Sequence, residues 1–482
     1  MSTLVTRRTA IGALGLGPFI KTSRAAAGVR PNFLFLLTDD QSYSTMSITG
    51  NPFMRTPNMD RIGREGVLFR NALVATSLCA PSRACFLSGM HPHKNGITGN
   101  QIRWNQELMT LPRALHASGY RTAHIGKFHM DGDDRVQPGY DYWAAQVAQG
   151  QYVNPRKNIN GKWVDLQGYD TNIVTDQATE FIRDAVRRGS PFCTWIGFKA
   201  CHGPFTPAPG HENDFANVEF KPPASFFVDD EGKPDRVRRK SQNRAIQAAR
   251  GRKESRKKKK GEENVVDSLQ AWAARERSQY QCLMGVEDAT GRLLGLLDEL
   301  KVAENTIVVL AGDNGFFHGE HGLHGKSEAY EEALRIPVMM RFPAAVKAGQ
   351  TCDSFVSNID LAPSILDLCG VKAPAAMQGR SWKPLVTGKG DPGWRKNFVY
   401  TYPCDSAEAA PLKALRADRY KLIVNLNPKD RAELYDLKND PLEMKNLAMD
   451  KANADLVGKL RRELITEMQK NEDPLTAQVE KL

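Results

Sequence analysis

Four apolar runs, each stopped by charged or amide side chains, constrain the fold of this chain more than any other feature. Asn32 to Leu37 ends on Thr38, Asp39 and Asp40; Ala123 to Gly126 ends on Lys127 and His129. Phe192 to Phe198 stops near His202, and Thr306 to Ala311 stops at Asp313 and Asn314. A short run with no polar alternation fits a strand covered on both faces, as in a parallel sheet. Open parallel sheets gather ligands at the carboxyl ends of their strands. One sheet edge is therefore expected to collect carboxylates, an amide, a lysine and histidines from four distant segments.

Helical patterns lie between the runs, at Leu111 to Ser118, Asp170 to Arg188 and Asp267 to Lys301, the last with Leu293, Leu294, Leu297 and Leu300 at helical spacing. The alternation predicts an α/β fold: a large mixed, mostly parallel sheet sandwiched by helices. From Asp353 the pattern changes to a helix near Leu361 to Cys369 and a linker AlaProAla at 373–375. Short β-like runs follow at Asn397 to Tyr402, Ala414 to Arg416, Tyr420 to Val424 and Glu433 to Asp436. They predict a small antiparallel sheet closed by a helix around Ala454 to Lys470. A length of 482 residues accommodates one large domain with an appendage, here expected at 28–372 and 373–482.

The formal charge of +11 is not spread along the chain. Arg236 to Lys260 holds thirteen basic residues against the single acid Glu254, so the rest is close to neutral and offers no nucleic-acid surface. The polar segment 230–263 is expected to be an exposed insertion, helical or disordered. At the start, Arg7 and Arg8 precede a short apolar run and the small residues Ala25 to Ala27, the order of a twin-arginine export signal over 1–27. No later run has the roughly 20 apolar residues of a membrane span, so a periplasmic or secreted protein is expected. Eight cysteines show no CxxC pair and no regular framework, leaving room for one or two bridges at most.

Cys79 to Gly89 reads CAPSRACFLSG. Pro81 suits the first turn of a helix through Arg83 to Met90, which sets Cys79 at a helix N-terminus where backbone N–H groups favour an anion. A cysteine followed by x-Pro-Ser-Arg and then Leu-Ser-Gly resembles the maturation signal of the type I sulfatases, of the alkaline-phosphatase-like superfamily. GYRTAHIGKFH, Gly119 to His129, is similar to that family's second signature. GDNGFFHGEHGLHGK, ending at Lys326, and ACHGPF, holding His202, are similar to two further family segments.

The resemblance implies that a formylglycine-generating enzyme converts Cys79 to 3-oxoalanine, whose hydrate supplies an oxygen nucleophile. A sulfated hemiacetal then collapses to aldehyde and expels sulfate. It implies that Arg83, Lys127 and Lys326 hold sulfate oxygens, that His129 takes the proton of collapse, and that His202 protonates the departing alcohol. Asp39, Asp40, Asp313 and Asn314 are hard oxygen donors that suit Ca²⁺ or Mg²⁺ rather than zinc. The resemblance arranges them, with residue 79, around one Ca²⁺, and makes Asp313 a further proton acceptor. Cys85, His318, His321 and His324 are expected to be packing or supporting groups.

Pro138 to Asp176 resembles the N-acetylglucosamine-6-sulfatase and mucin-desulfating branch, implying a sulfated carbohydrate, with a small sulfate ester as the simpler substrate. Two rivals stand beside this reading. A phosphate or phosphonate ester hydrolase of the same superfamily would usually carry two metal sites rich in histidine. A non-catalytic polyanion-binding protein would use only the basic run.

Overall fold

The first apolar run is the central strand of the molecule. In the computed structural model, which describes residues 30–130, 135–227, 232–240, 258–403, 411–427 and 430–482, it forms β1 (Asn32–Thr38). The other three runs form β2 (Arg121–Lys127), β3 (Phe192–Gly197) and β4 (Thr306–Gly312). β1 lies between β3 and β4, and β2 lies beyond β3, all parallel.

Every residue of β1 is buried because both of its faces are covered. Phe33, Phe35 and Leu37 share a core with helix α1 (Cys79–Ser88). Leu34 and Leu36 share another with α2 (Asp170–Arg187) and α3 (Lys258–Glu299). Burial on both sides removes the need for polar alternation, as the sequence pattern implied.

Among the described residues the sheet has ten strands, in the order Gln350–Cys352, Val67–Phe69, Val338–Arg341, β4, β1, β3, β2, Tyr142–Gln146, Arg156–Ile159, Lys162–Asp165. Antiparallel pairs flank the parallel centre, giving the expected mixed sheet. Register makes the central strands end level: Thr38 lies opposite Gly312, Leu37 opposite Gly197, and Gly197 opposite Gly126. Only glycine fits at the last pair. A Cβ on Gly126 would sit 2.1 Å from the Gly197 carbonyl oxygen, and one on Gly197 would sit 2.3 Å from that of Lys127.

The second sheet is antiparallel, running Asn397–Tyr402, Leu412–Ala417, Tyr420–Asn425, Glu433–Asp436. One face packs against helix Ala454–Lys470 through Leu460, Leu464 and Met468. The other face, through Tyr400, Ala414, Ile423 and Tyr435, packs against Ala329, Tyr330 and Leu334, just beyond Lys326. The small sheet thus backs a segment of the site.

Two sequence expectations change. The basic insertion is not a solvated face at its root: Lys233 and Val237 are buried, and Arg236 pairs with Glu328. The Lys233 ammonium lies 4.3 and 4.5 Å from the ring centres of Tyr330 and Tyr435, and donates to Tyr435 Oη at 2.8 Å and Glu443 O at 2.7 Å. Aromatic rings and acceptors supply what water would otherwise give an ammonium. The seven described cysteines are buried free thiols, so no bridge forms among them. Cys404, the export signal and residues 241–257 of the basic run lie outside the described residues. Among those described, no helix is long and apolar enough to cross a membrane.

Candidate active site

Because the central strands end level, the residues that follow them meet at one edge. Asp39 and Asp40 leave β1, Asp313 and Asn314 leave β4, Lys127 closes β2, and α1 begins with Cys79. Asp40 and His129 both sit at φ +56, backbone strain of a kind that concentrates at functional sites.

Asp39, Asp40 and Asp313 are buried, with oxygens within 4.8 Å of one another. Two buried cations, Arg83 and Lys127, and a half-buried third, Lys326, compensate them. Arg83 donates from Nε to Asp313 Oδ2 at 2.9 Å and from a terminal nitrogen to Lys127 O at 2.8 Å. Lys127 reaches the Asp39 carboxylate, and Lys326 reaches that of Asp40 while lying 2.8 Å from Cys79 Sγ. Cys79 Sγ is 3.7 Å from Asp39 Oδ1. Asn314 Nδ2 donates to Asp40 Oδ1 at 2.7 Å, and the Asp40 N–H to Asp313 Oδ1 at 3.1 Å. His202 presents Nε2 to Asp40 Oδ2 at 3.7 Å, with its Nδ1 2.5 Å from Gly203 O.

The electrostatics separate the groups by role. Burial would raise the Asp39 pKa, but Lys127, then His202, Arg83 and Lys326, hold it well below the usual carboxylate range. Asp313 goes the other way, to about 7, through burial and the neighbouring charge of Asp39. Burial pushes the Cys79 thiol up to about 12, against the pull of Lys326, so an unmodified thiol here is protonated and unreactive at neutral pH. Burial and then Lys127 bring His129 down to about 2, leaving a neutral imidazole whose buried Nδ1 has no partner among the described residues. No hydrogen bond ties His129 to the cluster among the described residues, although the charges of Lys127, Asp39, Arg83 and Lys326 act on it.

The donor set fits a divalent cation. Beside the three carboxylates, Asn314 keeps a buried Oδ1 with no hydrogen-bond partner among the described residues. Three carboxylate groups and an amide oxygen are the hard donors Ca²⁺ and Mg²⁺ take. A second grouping, Asp39 with Cys79 and His202, shares Asp39 and so marks the same location.

Residues 31–371 match the Sulfatase family. The chain belongs to the sulfatase family. It is a sulfuric ester hydrolase. Residues 319–471 match a second family, N-sulphoglucosamine sulphohydrolase, C-terminal. The chain is 35% identical to the N-acetylglucosamine-6-O-sulfatase of Bacteroides thetaiotaomicron, over 87% of this sulfatase and 82% of that one. A solved structure of a protein in complex with its substrate, D-glucosamine-2-N,6-O-disulfate, superposes with a TM-score of 0.82 at 32% identity, covering 92% and 99% of the two chains. The phosphonate monoester hydrolase of Agrobacterium radiobacter shares the fold alone, with a TM-score of 0.72 at 18% identity over 92% and 96%.

The supporting histidines differ among themselves. His318 is buried between Glu276 Oε2 at 2.7 Å and Ser42 Oγ at 2.9 Å. His321 packs on Tyr330 at 4.3 Å, and His324 is exposed beside Phe316. Two groups at the edge escape a sequence reading: Gln149, whose Oε1 lies 2.5 Å from Lys127 Nζ, and the buried Lys199. Lys199 follows β3 as His129 follows β2, and that position is the signal that marks it.

Proposed function

We propose that this sulfatase removes sulfate from a sulfated amino sugar, with Cys79 matured to formylglycine and a divalent cation, Ca²⁺ in the first place, held by Asp39, Asp40, Asp313 and Asn314. The observation that carries the reading is Cys79 at the start of α1, in contact with Lys326 and beside Asp39, where its own thiol is inert. The cation supplies charge stabilisation for the ester oxygens and for the nucleophile. The hydrated aldehyde supplies an oxygen nucleophile and a route to release sulfate.

The remaining work falls to the chain's own side chains. Arg83, Lys127 and Lys326 are preorganised around the reacting position, where fixed positive charge stabilises a transition state most. His129 has a buried Nδ1 without a hydrogen-bond partner among the described residues and is assigned to accept a proton from residue 79. His202, oriented by Gly203 O, is suited to serve the leaving oxygen as general acid. Three carboxylates against three cations make the side-chain set neutral, so a dication is balanced by two negative charges. A sulfate monoester and a nucleophilic alkoxide supply two; a phosphate monoester dianion would bring three. This balance favours sulfate over a phosphate monoester.

The amino-sugar assignment is supported by the 35% identical N-acetylglucosamine-6-O-sulfatase and by the likeness to the glucosamine disulfate complex. The proposal includes maturation by a formylglycine-generating enzyme, twin-arginine export to the periplasm or beyond, and a division into 28–372 and 373–482 with an insertion at 230–263.

Its test is mass analysis of the peptide containing residue 79, together with sulfate release from N-acetylglucosamine 6-sulfate. One oxygen in place of H₂S, with release of sulfate, is the expected result. A fully active enzyme with an unmodified thiol would overturn the nucleophile. Turnover confined to sulfated sugars without an amino group would overturn the substrate.

A further inference from the structure

Lys127 is fully buried, and its ammonium is held between the Asp39 carboxylate and Gln149 Oε1. Gln149 belongs to the turn after strand Tyr142–Gln146, closed by Gly150 N–H donating to Val147 O at 2.9 Å. The turn is fixed from below. Gln146 Oε1 accepts from Gln151 N–H at 3.0 Å, its Nε2 reaches the Asp170 carboxylate, and a Cβ on Gly150 would lie 1.9 Å from that Oε1. Lys199 adds a second hold: its Nζ donates to Gln149 O at 3.2 Å. Lys199 is 3% exposed and forms no ion pair among the described residues. It lies 4.9 Å from the ring centre of Tyr152, whose hydroxyl donates to His202 O at 2.9 Å. The Gln149 side chain is only half-buried, and its Nε2 makes no hydrogen bond among the described residues.

We infer that Gln149 is a specificity-determining residue that reads an oxygen of the sugar leaving group through its free amide N–H, and that Lys199 is the positioning residue that holds it there. The inference rests on the proposed role of Lys127 at the ester oxygen. An amide has two donors and one acceptor oxygen. With the acceptor engaged by the Lys127 ammonium, both donors are left without a partner among the described residues. An ester oxygen that comes to the same ammonium carries its carbon skeleton alongside this amide. A 6-O-sulfated sugar has its ring oxygen and a neighbouring hydroxyl close to that carbon, whereas an aryl sulfate presents a ring edge with no acceptor. A site built around a hydrogen bond discriminates against a substrate that lacks the partner.

The test uses mature enzyme with Gln149→Ala, Gln149→Glu and Lys199→Met, assayed on N-acetylglucosamine 6-sulfate and on p-nitrophenyl sulfate. The preference in kcat/KM for the sugar ester should fall about tenfold in each variant, the loss carried by KM. If wild type turns over only the sugar ester, the split between KM and kcat is the readout. Gln149→Glu keeps an acceptor for Lys127 but loses the donor. Wild-type preference in Gln149→Glu would show that the amide merely supports Lys127, and overturn the inference. So would a preference within about twofold of wild type in Gln149→Ala. Wild-type enzyme that releases sulfate from neither ester would sink the proposed function itself, and the inference with it.

Discussion

The ammonium of Lys326 lies 2.8 Å from Cys79 Sγ and also binds the Asp40 carboxylate, so one side chain spans the proposed nucleophile and a proposed cation ligand. Burial works against its charge, but Asp40, then Cys79, Asp313 and Asp39, keep it protonated well above the ordinary lysine range. Lys326→Met should lower kcat by about 10²–10³, the usual cost of deleting one preorganised donor. Sulfate release measures this, with the mass of the residue-79 peptide checked so that failed maturation is counted separately. A loss below about tenfold in fully matured protein would remove Lys326 from the sulfate-binding set.

Removal of divalent cations should abolish turnover and lower the thermal midpoint, and Ca²⁺ should restore both. A ligand at a hundred times its Kd stabilises the folded state by about 2.7 kcal/mol. Asn314→Leu, which deletes the unpartnered Oδ1, should weaken Ca²⁺ binding by about tenfold or more, read by calorimetric titration. Equal Ca²⁺ affinity in that variant would exclude Asn314 as a ligand.

Asp39 and Asp313 were legible in the sequence because each follows a run so apolar that it had to be buried on both faces, and Lys127 because it closes the segment GYRTAHIGKFH. The register that brings Thr38 level with Gly312 was not, since it depends on pairing between segments some 270 residues apart. The strand Asn397–Tyr402 was legible as a short β-like run, and the structure buries its alternate residues. Lys233 was not: composition reads a lysine in a basic run as solvated, and only folding brings Tyr330 and Tyr435 to its ammonium. Gln149 and Lys199 were hidden for the same reason, as two turns meet only in three dimensions.

His318 makes stability depend on pH. Burial alone would lower its pKa, but Glu276 at 2.7 Å and then Glu320 hold it up at about 9. The unfolded value is about 6.5, so the contribution is complete below that pH and is lost as pH rises through about 9. The difference corresponds to roughly 3 kcal/mol. Urea unfolding at about pH 6 and pH 9 should show this decline in wild type and a smaller one in His318→Gln. Parallel declines in the two proteins would assign the pH dependence to other groups.

Lys421 ties the second sheet to the segment after Lys326. It is fully buried, with Nζ 2.9 Å from Glu331 Oε1 and 2.8 Å from Glu443 Oε1, and it donates to Ala329 O at 3.0 Å. Burial alone would push Glu443 up, and only partial compensation by Lys421 limits its pKa to about 7. Lys421→Met strips the cation from the buried Glu443 carboxylate, while Glu331 keeps Arg416 Nε at 3.0 Å, and breaking a buried pair from one side costs about 3–5 kcal/mol. Adding Glu443→Gln removes one stranded charge and should return part of that loss. Urea unfolding of the two single variants and the double variant gives the coupling directly. Because Ala329 lies three residues from Lys326, the same substitution should also lower sulfate release under conditions where the protein remains folded. Full activity in folded Lys421→Met would confine this network to stability.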